Sequence, residues 1–160
     1  PPYQGGGDMI ETVTFEETTY AKPPLKFEAG TPMIAQVLGM GAAIDYLTYI
    51  GLDQIYAKEQ GLLQQATDLL GKIKDLQIIG TAKQKSAVLS FIVEGVHPLD
   101  IGMMLDSKGV AIRTGHHCAQ PVMKRFNVSS TARASFSFYN TSKEVEVFFQ
   151  ALKEILEMVK

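Results

Sequence analysis

The chain has 160 residues, 46% of them hydrophobic and 20% charged, and a formal net charge of −2. That length supports one domain with a real core, or one domain and a piece of another, and the small net charge argues against a nucleic-acid or membrane-surface partner. No uninterrupted apolar run approaches a bilayer span, and a single cysteine rules out an internal disulfide, which fits a reducing, cytoplasmic setting. The opening Pro1-Pro2-Tyr3-Gln4-Gly5-Gly6-Gly7 has no initiator methionine and no signal-peptide pattern; it reads as part of something longer.

In chain order, a glycine-rich loop at 1–8 leads to β-branched residues within Met9–Thr19 that predict one short strand or edge segment. Pro23, Pro24 and Pro32 keep the next stretch irregular, and a helix is expected over about Met33–Ile50. Its small residues Gly39, Gly41, Ala42 and Ala43 predict a closely packed neighbour. Gly51 then interrupts, and a second helix over about Asp53–Ile73 places Ile55, Leu62, Ala66, Leu69, Leu70 and Ile73 on one face. A domain boundary is expected near Gly51.

Beyond it, strands and helices alternate. Leu76–Ile79 and Ala87–Val93 read as strands. A helix starts at Pro98 and stops at Gly109. Val110–Arg113 is expected as a short strand, Gln120–Phe126 as a short helix, and Thr131–Phe138 as a strand. That last strand would put Ala132, Ala134, Phe136 and Phe138 on one face, with Arg133, Ser135 and Ser137 on the other. Thr141-Ser142-Lys143-Glu144 is a capping box opening the last helix, whose buried stripe would be Val145, Phe148, Phe149, Leu152, Ile155, Leu156 and Val159. The pattern predicts an α+β sandwich, a small sheet covered by helices.

The chemistry gathers in Arg113-Thr114-Gly115-His116-His117-Cys118-Ala119-Gln120-Pro121. A thiol beside two imidazoles and near a guanidinium has neighbours able to hold it as thiolate, the form that attacks electrophiles and carries sulfur. A free cysteine packed as a small hydrophobe is the ordinary alternative. Arg133 is either a surface arginine with a buried stem or a carboxylate clamp. Arg113 makes a structural ion pair, or binds an anion and favours the thiolate. His116 and His117 point in opposite directions in extended chain, so one is expected to pack in the loop and the other to tune the thiol or move a proton. A zinc site from His97, His116, His117 and Cys118 lacks recognisable spacing, and no metal is expected. Gly5, Gly6 and Gly7 could cradle a phosphate. Thr31 could meet an anion at a helix start or simply cap it. These residues suit a small carboxylated ligand but do not name a reaction.

The same residues carry a resemblance. Arg113–Pro121, Thr131-Ala132-Arg133-Ala134-Ser135 and Tyr139-Asn140-Thr141 closely resemble the C-terminal part of SufS-type cysteine desulfurases, pyridoxal-phosphate enzymes of the class V aminotransferase architecture. The opening Pro1–Ile10 and Phe27-Glu28-Ala29-Gly30-Thr31-Pro32 are similar too, so the resemblance spans the chain. Arg-Thr-Gly-His-His-Cys favours this branch over the NifS/IscS-like one. The resemblance implies the small C-terminal domain of a fold-type I enzyme at 51–160, preceded at 1–50 by the tail of the large cofactor-binding domain. It implies that Cys118 becomes a persulfide, that Arg133 grips the carboxylate of L-cysteine, and that Arg113 is a second active-site arginine. Thr31 would reach the cofactor phosphate of the other subunit of a homodimer, and the glycines would border the site. The products would be L-alanine and sulfur passed to a SufE- or SufU-like acceptor for iron–sulfur cluster assembly. The family's Schiff-base lysine, and the aspartate and histidine that accompany it, lie upstream of the matched segment, so these 160 residues alone are expected to be inactive. A selenocysteine lyase, or a non-catalytic persulfide carrier or docking module, would fit the same motifs.

Overall fold

β-Branched residues at Ile10, Thr12 and Val13 form β1 (Ile10–Val13), which pairs antiparallel with β2 (Thr18–Tyr20). The expected single strand is thus a hairpin, because Thr14 turns the chain. Its N–H donates to Glu17 O at 2.9 Å, and its Oγ1 accepts the N–H groups of Glu16 and Glu17 at 3.2 and 3.0 Å. A single 3₁₀ turn at Leu25–Phe27 precedes α1 (Ile34–Ile50). Among the described residues no neighbour packs against the small residues of α1. No α1 residue is buried, and nothing lies within 4 Å of a Cβ built at Gly39 or Gly41.

These elements belong to one compact unit, Pro1–Tyr49; a second begins at Ile50, and the computed structural model describes residues 1–159 in all. Gly51, at φ +94°, ends one helix and starts the next, a backbone conformation that glycine adopts without steric cost. α2 (Leu52–Leu70) buries Leu62, Leu63, Ala66 and Leu70 on one face; Ile73 lies in the turn after it. There follow β3 (Leu76–Ile79), β4 (Val88–Val93), α3 (Pro98–Ser107), β5 (Arg113–Gly115), α4 (Gln120–Phe126), β6 (Thr131–Ser135) and α5 (Ser142–Val159).

The four strands make one antiparallel sheet in the order β3-β4-β6-β5. Along β4 burial alternates, with Leu89, Phe91 and Val93 buried and Val88, Ser90 and Ile92 half-buried. The buried face packs under α2, α3 and α5, and the core joins Phe91, Leu105, Ala132, Phe148 and Leu152; the Phe91 and Phe148 ring centroids are 6.2 Å apart. The capping box forms as expected: Thr141 N–H donates to Glu144 Oε2 at 2.6 Å, and Glu144 N–H donates to Thr141 Oγ1 at 3.2 Å. The buried stripe of α5 is Val145, Phe148, Ala151, Leu152, Ile155 and Leu156. Phe149 is only half-buried, and Val159 is exposed.

Two strand boundaries differ from expectation. β5 starts at Arg113 rather than Val110. β6 ends at Ser135, because Asn140 Oδ1 accepts the Ser137 N–H at 2.8 Å and turns the chain, although Phe136 N–H still reaches Ala87 O.

Candidate active site

Residues opposite one another on adjacent strands project from the same face of a sheet. Ser90 pairs with Arg133, and Arg133 with Arg113, so one row runs across β4, β6 and β5. Phe91, Ala132 and Thr114 form the next row, on the face that meets the helices. Both arginines therefore project away from the helical core. Arg133 is half-buried and Arg113 exposed. The Nε of Arg133 is buried without a partner, an unmet donor that a ligand oxygen could satisfy.

Strand β5 runs out at Gly115, at φ +119°, into a tight turn in which Ala119 N–H donates to His116 O at 2.8 Å. The two central residues, His117 and Cys118, have φ of +54° and +57°. Positive φ at both positions is the signature of a type I′ turn, and for side chains other than glycine it is sparsely populated. Cys118 is thereby presented exposed at the crest.

His117 turns the other way. Its Nε2 lies 2.9 Å from Thr131 Oγ1 and 3.2 Å from Thr131 O, while its Nδ1 is buried and unpartnered. Burial, followed by the nearby Arg133 guanidinium, lowers its basicity below that of a free histidine; Arg113 and His116 add to this, and the hydrogen bond to the Thr131 backbone opposes it. Of the two imidazoles, His117 is the one that packs in the loop. His116 is exposed.

The structure therefore brings Arg113, Arg133, His116, His117 and Cys118 into one part of the second unit. Thr31, Gly5 and Gly6 lie in the first. There Gly7 O accepts the Gly30 N–H at 2.9 Å, and a Cβ on Gly6 would stand 3.1 Å from Gly30 N, so the glycine loop is seated against the residues just before Thr31. Thr31 itself is exposed ahead of α1. His97 has a different task from the one a zinc site would give it, since its Nδ1 accepts the Leu99 N–H at the start of α3. Among the described residues no three histidines, cysteines or acids gather as metal ligands.

Two residues of consequence were not singled out from the sequence. Thr131, fully buried, holds His117. Gly102 lets α3 approach β5 so closely that a Cβ there would sit 2.6 Å from Thr114 Cγ2. An isolated glycine inside a helical pattern was the signal available for the second; a threonine in a strand gives none.

The chain belongs to the aminotransferase class-V family, whose pattern matches residues 1–148. Within that family its relatives are cysteine desulfurases. It is 48% identical over 157 residues to a probable cysteine desulfurase of Streptomyces coelicolor, covering 97% of this chain and 38% of that protein. With the cysteine desulfurase of Synechococcus elongatus it shares 50% identity over 154 residues, 96% of this chain and 25% of that one. The crystal structure of the cysteine desulfurase CsdA (S-sulfonic acid) from Escherichia coli superposes on 99% of this chain with a TM-score of 0.93 at 36% identity, and 39% of that chain is covered. The apo cysteine desulfurase of Thermococcus onnurineus gives a TM-score of 0.92 at 38% identity, covering 98% of this chain and 40% of that one. The fold is accordingly that of fold-type I pyridoxal-phosphate cysteine desulfurases. The chain spans about two fifths or less of the length of these relatives.

Proposed function

We propose that this chain is the sulfur-accepting part of a SufS-like cysteine desulfurase. Residues 1–50 would be the tail of the large cofactor-binding domain, and 51–160 the small domain. The observation that carries the reading is an exposed thiol on a strained turn that leaves the strand on which Arg113 faces Arg133, the latter with an unmet buried donor. Arg133, with Arg113 beside it, grips the carboxylate of L-cysteine, since a guanidinium suits a carboxylate in both charge and geometry. The thiolate of Cys118 attacks the substrate sulfur. The S–S bond forms as the C–S bond breaks, and the electron pair stays with the carbon skeleton, which takes up a proton to become L-alanine. Cys118 is left as a persulfide.

Pyridoxal phosphate, where a protein holds it through a lysine, supplies an electron sink for such chemistry. The residues brought together around Cys118 fit the anionic substrate and not that covalent anchor, because Arg113–Pro121 contains no lysine. On this reading Thr31 meets the cofactor phosphate from the partner subunit of a homodimer, and the 160 residues alone are inactive. The persulfide passes to a SufE- or SufU-like acceptor in the cytoplasm for iron–sulfur cluster assembly. The test is Cys118→Ser in the full-length protein supplied with sulfur-labelled L-cysteine. Loss of protein-bound label and of transfer to the acceptor is expected. Persulfide transfer surviving the substitution would remove Cys118 from the role.

A further inference from the structure

The turn that presents Cys118 places two consecutive side chains other than glycine at positive φ, a conformation that persists only where surrounding contacts over-determine it. Among the described hydrogen bonds, the turn's own closure is a single backbone bond, Ala119 N–H to His116 O. A second tie comes from a side chain. His117 sits immediately before Cys118, and its Nε2 reaches both oxygens of Thr131, at the first position of β6 and two residues from Arg133.

Thr131 O can only accept, so Nε2 must carry the proton for that contact to be attractive, and Oγ1 then accepts from the same N–H. The bare nitrogen is Nδ1, the buried atom without a partner. An unpaired acceptor in that position is less costly than an unpaired N–H, which the other tautomer would leave there. Burial and the adjacent arginine also disfavour the doubly protonated ring.

We propose that His117 is a positioning residue whose Nε2–H clips the Cys118 turn to Thr131, so that the nucleophile and the substrate-gripping Arg133 are fixed from the same end of one strand. This inference rests on the reading of Cys118 and Arg133 given above. The clip sets where the thiol stands, not how the carboxylate is held.

The test uses Thr131→Val, which keeps the shape and removes Oγ1, and Thr131→Ser, which restores the hydroxyl. In the full-length desulfurase, Thr131→Val is expected to lower kcat about tenfold with the KM for L-cysteine unchanged, because small misplacements of a reacting group are costly. Thr131→Ser is expected to recover most of it. Independently of activity, ¹⁵N-labelled histidine in the 160-residue chain should show His117 as the Nε2–H tautomer in the wild type, and still as Nε2–H in Thr131→Val, where the backbone oxygen of residue 131 remains to accept, but with its Nε2 resonance shifted by loss of the Oγ1 contact. A Thr131→Val enzyme with wild-type kcat would overturn the clip, as would kcat and KM changing together or a wild-type His117 protonated on Nδ1. The imidazole signature should be the same in Cys118→Ser, so a failed nucleophile assignment is distinguishable from a failed clip.

Discussion

Arg113 and Arg133 stand directly opposite each other across β5 and β6, two guanidinium groups on one face of the sheet. Among the described residues the ion pairs all involve lysine, and neither arginine has an acid partner. Like charges directly opposite each other on a sheet are destabilising, a cost that an anionic ligand between them would reverse. Arg113→Gln should therefore raise the thermal midpoint slightly in anion-free buffer and reduce the protection given by a carboxylate ligand. A variant less stable than wild type in both buffers would mean that Arg113 serves the fold instead.

Arg133→Lys separates charge from geometry. Lysine keeps the charge but presents no planar fork. Losing a charge-assisted hydrogen bond costs about 1.5–3 kcal/mol, so the KM of the full-length enzyme for L-cysteine should rise at least about tenfold. Steady-state kinetics measures this, and an unchanged KM would place the carboxylate elsewhere.

Gly102 and Thr114 hold β5 against α3 from the other face of the sheet. With a Cβ 2.6 Å from Thr114 Cγ2, Gly102→Ala must displace either the helix or the edge strand that leads into the Cys118 turn. Overpacking of this kind costs about 1–3 kcal/mol. Thr114→Ser removes the clashing methyl, so the double variant should recover much of that loss in denaturant melts. Additive losses would show that the strain lies elsewhere.

The residues that were legible in the sequence are those whose signal is local. Thr141 and Glu144 stand three apart and cap each other, Pro98 and Gly109 bracket α3, and the alternation around Arg133 separates Ala132 and Ala134 from it. What was not legible depends on distant partners. The direction of His117 is set by Thr131, fourteen residues away, and the start of β5 by its pairing with β6. The turn at Thr14 was a local signal, a hydroxyl able to accept two successive N–H groups, masked by the β-branched residues on either side. The family's motif marked Cys118 and the arginines together, while periodicity alone left each with an ordinary alternative.

Glu144 gives a local pH dependence. The Thr141 N–H and then the Thr141 hydroxyl hold its carboxyl below the usual glutamate range. A lowered carboxylate pKa stabilises the fold above the unfolded value, and that contribution is lost as pH falls through the folded one. Thr141→Ala removes the hydroxyl that caps the helix and bonds this carboxylate while leaving the residue 141 N–H in place, so it should destabilise the fold at neutral pH and somewhat less under acid. An equal cost at both pH values would assign the loss to the Thr141 Oγ1 cap of the Glu144 N–H alone and not to the carboxylate.

His117 gives the complementary dependence near neutrality. Its pKa is lowered by burial first and by Arg133 second, so the unfolded chain binds the proton more readily than the folded one. Stability is then greatest above the ordinary histidine pKa and falls as pH drops below it, levelling once the folded ring is also protonated. The chain has three histidines, and the other two can be removed conservatively. His97→Asn keeps a capping acceptor at the start of α3, and His116→Gln alters an exposed side chain. In that double variant the stability change between pH 7.5 and 5.5 should retain its downward slope toward acid. Protonation also places a cation beside Arg133, so a carboxylate ligand, by neutralising that arginine, should flatten the slope. Denaturant melts at the two pH values, with and without ligand, measure both effects. A slope that vanished with His97 and His116 would mean that His117 is solvated and does not hold the turn.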